Sequence, residues 1–233
     1  MEPSSPKAVK RLTCTDRQKL ILNNQPRKFD MQLLKATKEN IRLAAETIKK
    51  GGLVIYPTDT VYGLGCNPFN INSVRRIFEV KGRTGKPLPI LAYSIEDAQK
   101  IAEFNEKALK IAKAFWPGPI TLVLPKKANL PDIVTCNRNS VGVRVPNHKV
   151  ALELIQLSNG LLIGTSANRT GRKPPETAEE AVRQIGGEVD VVLDGGKVPL
   201  GTPSTIVDLT TETPIVIREG PIGLSSILKV LEA

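Results

Sequence analysis

Short segments rich in hydroxyl, amide and guanidinium side chains recur along the chain, each beside an apolar run. The first is Pro57-Thr58-Asp59-Thr60-Val61-Tyr62-Gly63-Leu64-Gly65, a polar trio between an apolar run and a glycine turn. It reads either as a capped turn or as a cup for a small polar ligand. In Lys81-Gly82-Arg83-Thr84-Gly85-Lys86, three cations and two glycines share six positions, a composition suited to wrapping phosphate oxygens or to a plain solvated loop. Ser140-Val141-Gly142-Val143-Arg144-Val145-Pro146 places a guanidinium inside an apolar strand, where it needs an anionic partner. An internal acid and a ligand carboxylate both satisfy that need. Gly164-Thr165-Ser166-Ala167-Asn168 ends another apolar run, and Asn168 can meet a base or phosphate through its amide. Pro203-Ser204-Thr205 opens a further strand, and Arg218-Glu219-Gly220-Pro221 closes the one after it.

This chemistry is anion holding and orientation rather than covalent attack. Ser166 is not on a nucleophile elbow, since Asn168 stands where the second glycine is required. Neither the phosphate-loop spacing GxxxxGK[ST] nor GxGxxG occurs, so a nucleotide must bind another way. His148 is the sole histidine and has no triad or ligand partners nearby in sequence. The cysteines Cys14, Cys66 and Cys136 are far apart, and neither a zinc site nor a disulfide framework is expected.

The 233 residues suit one domain with an appendage, and 40% hydrophobic with 24% charged residues is an ordinary globular mixture. No apolar stretch is long enough to span a membrane, and the start lacks a secretory pattern, so a cytoplasmic location is expected. The formal net charge of +10 calls for anionic partners such as nucleotides or RNA. Residues 1–30 carry seven Lys/Arg against three acids, so four of those charges lie in a weakly periodic extension. That segment, residues 1–31, is either a solvated tail or an arm that touches RNA, and the domain proper occupies 32–233.

The elements that must position these segments are legible as alternating periods. Helical spacing predicts helices over Lys38–Lys50, Val74–Val80, Ile95–Glu103, Ala108–Phe115, Ala151–Leu157, Ala178–Ile185 and Leu224–Leu231. Apolar runs predict strands over Leu53–Tyr56, Ile90–Ala92, Ile120–Leu124, Val141–Val145, Leu161–Gly164, Val189–Leu193, Thr205–Leu209 and Ile215–Arg218. The alternation indicates an α/β (α+β) fold with a twisted mixed sheet and flanking helices. Ligands are then expected beside the strand ends.

Taken in order, PTDTVYGLG, KGR…KPL, WPGPIT, VGVRVP, TSAN, PSTIVD and IREGP resemble the YrdC family of threonylcarbamoyladenylate synthases. The resemblance covers roughly residues 38–225. It implies a twisted α/β sheet with a basic concave active-site face. It also implies an ATP-dependent reaction in which L-threonine and bicarbonate become threonylcarbamoyl-AMP, with pyrophosphate as co-product. A downstream threonylcarbamoyl transferase complex would then modify adenosine in tRNA. Carried over by motif, Thr60, Arg144, Ser166 and Ser204 bind threonine, and Arg144 holds its carboxylate. Arg83, Lys86, Ser140, Asn168 and Arg218 contact ATP, and Mg²⁺ arrives with the triphosphate. Lys81 matches another basic position of the same loop whose role the resemblance leaves undefined, catalysis being one option; no catalytic residue is assigned.

The pattern departs from the family in two places. Thr84 replaces a proline in a loop one residue shorter than usual, which weakens the match of Lys86, and Thr170 replaces a serine after TSAN. Some members carry a second C-terminal domain over the nucleotide. This chain ends too early for one, so the cover is expected from elsewhere, the N-terminal arm being one source. Two rivals accompany this reading: a non-catalytic RNA-binding protein of the same fold, and a carbamoyl-adenylate-forming module like those of hydrogenase maturation.

Overall fold

The structure, a computed structural model, describes residues 31–82 and 85–232. Both the basic extension, apart from Met31, and Arg83 with Thr84 therefore lie outside the described residues. In chain order the first half comprises β1 (Gln32–Lys35), α1 (Lys38–Lys49), β2 (Val54–Tyr56), β3 (Gly63–Gly65), α2 (Ile71–Lys81), β4 (Ile90–Ala92), α3 (Ile95–Gln99), α4 (Glu106–Phe115) and β5 (Ile120–Pro125). Then follow α5 (Asp132–Thr135), β6 (Ser140–Arg144), α6 (Lys149–Leu157), β7 (Leu161–Ile163), β8 (Thr165–Ser166), α7 (Ala178–Ile185), β9 (Val191–Asp194), β10 (Thr205–Asp208), β11 (Ile215–Arg218) and α8 (Leu224–Glu232).

Among the described residues the strands form two mixed sheets, ordered β1-β9-β2-β3-β8 and β11-β10-β5-β6-β4-β7. The mixed α/β architecture with flanking helices is the expected one, with its strands divided between two sheets. In the first, β1, β9 and β2 run parallel, while β3 is antiparallel to both β2 and β8. In the second, β10–β5 and β6–β4 are parallel, and the β11–β10, β5–β6 and β4–β7 pairs are antiparallel. The sheets meet where β7 runs into β8: Ile163 N donates to Cys66 O at 3.0 Å, and Ala167 N to Tyr62 O at 2.8 Å.

The short apolar runs are continuous because their two faces serve different cores. Leu53, Ile55 and Val192 join the large core with Leu64, Ile77, Ile120, Leu122 and Val143. Val54, Tyr56, Val191 and Leu193 turn the other way, toward Ile41, Ala44, Ala45 and Ile48 of α1 and Leu154 and Ile155 of α6. Polar caps fix the helix starts. Thr37 Oγ1 accepts from Asn40 N at 3.3 Å ahead of α1, and Asn70 Oδ1 from Ser73 N at 3.1 Å ahead of α2. Gly82 ends α2 in the left-handed region, with φ 55°.

Candidate active site

The walls of one cavity, about 140 Å³ in volume, come from five of the six segments singled out above. Thr58, Thr60, Val61 and Gly63 form one side, Gly164, Thr165 and Ser166 another, and Pro203, Ser204 and Ile206 a third. Pro89, Leu91, Thr121, Arg144, Pro174 and Arg218 complete the lining.

The polar trio is a side-chain-closed turn. Thr58 Oγ1 donates to Val61 O at 2.7 Å and accepts from Thr60 N at 3.1 Å, which aims Thr60 at the cavity. Arg144 reaches it from β6. Strand alternation puts Ser140, Gly142 and Arg144 on one face while Val141 and Val143 enter the core. The guanidinium is fastened by three groups of the protein: Nε donates to Gly118 O at 2.9 Å, Nη1 to Thr60 Oγ1 at 2.9 Å, and Nη2 pairs with Asp59 Oδ1. Both members of that ion pair are 6% exposed in their side chains. The internal acid considered for Arg144 is therefore Asp59, and two of its five N–H groups remain for the cavity. Burial pushes the Arg144 guanidinium down from its ordinary pKa, and the adjacent Asp59 works against that shift.

Arg218 enters the same cavity because of a local irregularity. On β10 and β11, Ile206 pairs with Arg218 and Val207 with Val216, so Ile217 is an inserted residue. Such a bulge re-aims the next side chain. Val216 packs on the core, whereas Arg218 turns to Ser204, donating from Nε and Nη2 to Ser204 O at 3.0 and 2.7 Å and from Nη2 to Ser204 Oγ at 3.1 Å. Ser204 Oγ also lies 2.8 Å from Thr121 Oγ1. Partial burial pushes Arg218 down, and the charge of Arg144 adds to the effect, so the two cations feel each other.

Lys81 is buried at the end of α2, where Nζ donates to Ser166 O at 2.5 Å and Asn168 O at 2.8 Å. It clamps the turn that presents Ser166. Within that turn, Asn168 Nδ2 donates to Arg169 O at 2.9 Å and Arg172 O at 2.7 Å, while its Oδ1 is buried with no hydrogen-bond partner. The cavity thus gathers Thr60, Arg144, Ser166, Ser204 and Arg218. Ser140, Lys86 and Asn168 stand outside its walls, Ser140 about 13 Å along β6 from Arg144 and Lys86 on an exposed loop.

Sequence reasoning assigned no role to Asp59, Thr121 or Leu91. Asp59 was visible as the acid within the polar trio, and Thr121 as the hydroxyl of WPGPIT. Leu91 carried no signal beyond its apolar strand.

The family model that covers Sua5, YciO and YrdC, described as telomere recombination, matches residues 46–220. The chain belongs to the Sua5/YciO/YrdC family. A threonylcarbamoyl-AMP synthase of Pyrococcus abyssi is 44% identical over 193 residues, which are 82% of this chain and 57% of that protein. A putative threonylcarbamoyl-AMP synthase of Methanocaldococcus jannaschii is 35% identical over 89% of this chain and 94% of its own length. The crystal structure of P. abyssi Sua5 complexed with L-threonine superposes with a TM-score of 0.83 at 41% identity, covering 86% of this chain and 60% of that one. Escherichia coli YciO gives 0.78 at 26% identity, covering 85% and 99%. The chain spans little more than half of the P. abyssi Sua5/YciO/YrdC relative. No helix among the described residues is long and apolar enough to cross a membrane.

Proposed function

We propose that the chain is an L-threonylcarbamoyladenylate synthase, which joins L-threonine, bicarbonate and ATP into threonylcarbamoyl-AMP and releases pyrophosphate and water. The observation that carries this reading is the anchored Arg144–Thr60 corner in a cavity of about 140 Å³, in a chain whose relatives bear that activity in their names. The cavity's lining of hydroxyls and two guanidinium groups suits a small zwitterion such as an amino acid. The nucleotide would leave the cavity past Arg218 and along the β6 face toward Ser140.

In this reading the free N–H groups of Arg144 hold the threonine carboxylate as a planar fork, with the hydroxyls of Thr60, Ser166 and Ser204 around the rest of the molecule. The threonine amine combines with bicarbonate, losing water, and the resulting N-carboxylate attacks the α-phosphorus in line. Pyrophosphate carries the electron pair away. The protein contributes position and positive charge. Arg218, Lys86 and Arg83 serve the phosphates, Ser140 and Asn168 the rest of the nucleotide, and Lys81 keeps the Ser166 turn in place. The cavity lining offers hydroxyls and guanidinium groups, a donor set that fits phosphate oxygens rather than a bare divalent ion. Mg²⁺ therefore enters as part of the nucleotide substrate. The product would pass in the cytoplasm to a threonylcarbamoyl transferase complex acting on tRNA, with residues 1–31 as an accessory arm.

The test is incubation with ATP, L-threonine and bicarbonate, followed by detection of pyrophosphate and of the adenylate. Pyrophosphate release that requires both co-substrates is expected. ATP consumption at the same rate with neither present, or steep salt-dependent RNA binding with no turnover, overturns the reading.

A further inference from the structure

We propose that Asp59 is a specificity-determining residue that keeps phosphate groups out of the Arg144 end of the cavity, and so sorts the two anionic substrates between its two ends. The inference rests on the reading above and deepens it.

Two arginines line the cavity, and Lys81 stands behind Ser166. Carboxylates and phosphates compete for such groups, since both match the guanidinium fork. In a partly buried site the ion of higher charge gains more from each uncompensated cation. A cavity walled only by cations would therefore fill with phosphate, and the amino acid would find its own subsite occupied.

The two arginines are not equivalent. Arg144 is paired with the buried carboxylate of Asp59, which lies in the wall behind it and is absent from the cavity lining. Asp59 offsets the charge of Arg144, yet two N–H groups of a side chain that lines the cavity are left over. A zwitterionic amino acid can use those donors at little electrostatic cost, whereas a multiply charged phosphate would meet the repulsion of Asp59 nearby. The hydrogen bonds of Arg218 go to the carbonyl and hydroxyl of Ser204, neutral groups that leave its charge intact for phosphate. The cavity is therefore polarised, less positive at Arg144, where Asp59 offsets the charge, than at Arg218.

A second observation separates charge from shape. Asp59 Oδ2 is buried with no hydrogen-bond partner, so only one of the two carboxylate oxygens is used in bonding. An asparagine would supply the same acceptor to Arg144 in the same volume. What an aspartate adds there is its negative charge.

The experiment is calorimetric titration of the full chain with inorganic sulfate and, separately, with L-threonine at low ionic strength, for the wild type, Asp59→Asn and Asp59→Glu. In Asp59→Asn sulfate should bind about tenfold or more tighter than in the wild type and should compete with L-threonine, the scale of one unit charge at short range in a protein environment. Asp59→Glu, which keeps the charge, should retain wild-type discrimination. Equal sulfate affinity in the wild type and a folded Asp59→Asn overturns the proposal, as does Asp59→Glu behaving like Asp59→Asn. Should Asp59→Asn not fold, the wild type alone decides. Sulfate that displaces L-threonine at the concentration at which it displaces ATP refutes the sorting, and displacement of ATP alone supports it. Failure of L-threonine to bind the wild type would count against the proposed activity, while the sulfate comparison would still decide the role of Asp59.

Discussion

Arg144 answers two demands with one side chain, and its substitution should show both. Alanine at 144 leaves Asp59 buried without its counter-ion, a loss of about 3–5 kcal/mol visible as a lower melting temperature. In the folded fraction the L-threonine requirement should rise by one to two decades, about 1.5–3 kcal/mol for a charged hydrogen-bonded pair, with a smaller change for ATP. Lysine should not restore it, because an ammonium lacks the planar fork. Unchanged L-threonine dependence in a well-folded variant would remove Arg144 from the site. Lys81 makes a contrasting case. Lys81→Met leaves the carbonyls of Ser166 and Asn168 without the donor they share and should cost about 1–3 kcal/mol. Because those partners belong to the turn itself, faster hydrogen exchange in residues 165–170 is the readout, and unaltered exchange would argue against the clamp. The need of Arg144 for an anion was legible from its apolar neighbours. Which anion was not, since Asp59 is 85 positions away in sequence.

At the scale of elements, the long periodic segments were legible and the short pairings were not. Helix α1 and strands β5, β10 and β11 lie close to where their patterns place them. Helix α2 begins earlier than its apolar residues suggest, because the cap is Asn70. β3 is Gly-Leu-Gly and β8 only two residues, lengths and compositions that carry no strand signal outside the sheet that recruits them. β1 escaped notice because three of its four side chains are exposed. The bulge at Ile217 was equally silent, for it exists only in the register of β11 against β10. One consequence can be measured. A Cβ at Gly220 would stand 2.4 Å from Thr205 N and 2.7 Å from Pro203 O, backbone atoms that cannot yield as a flexible side chain would. Gly220→Ala should therefore displace the segment after β11, destabilise by about 1–3 kcal/mol and weaken ATP binding more than L-threonine binding. A variant with unchanged melting and ATP affinity would show that this corner is slack.

For the molecule as a whole, the regular helix and strand periods legible in the sequence begin at Lys38, after the basic segment. Deleting residues 1–30 should therefore leave the thermal transition in place, and its collapse would show that the basic segment completes a core. Just below neutral pH, before the carboxylates begin to protonate, acid should act through the sole histidine. Burial pushes His148 below its ordinary pKa of 6.5, with Asp59 opposing the shift, so the unfolded chain binds the proton more readily than the folded one. Stability is then greatest above pH 6.5 and declines as the pH falls from there toward the folded pKa. His148→Gln should flatten that slope, and the single imidazole signal in a proton NMR titration should move only at lower pH. A signal titrating at or above 6.5 would refute the burial argument.

The cavity takes Thr58 from near the start of the described chain and Arg218 from near its far end, and β1 pairs with a strand more than 150 residues later. On the ribosome, then, nothing resembling the finished binding site can exist while β10 and β11 are still inside the exit tunnel. Nascent chains that have passed residue 144 but not 218 carry Asp59 and Arg144 without the second arginine, and should be unable to retain a nucleotide. Ligand affinity arrives in a single late step, and chains stalled before residue 218 should be silent in any nucleotide-capture assay.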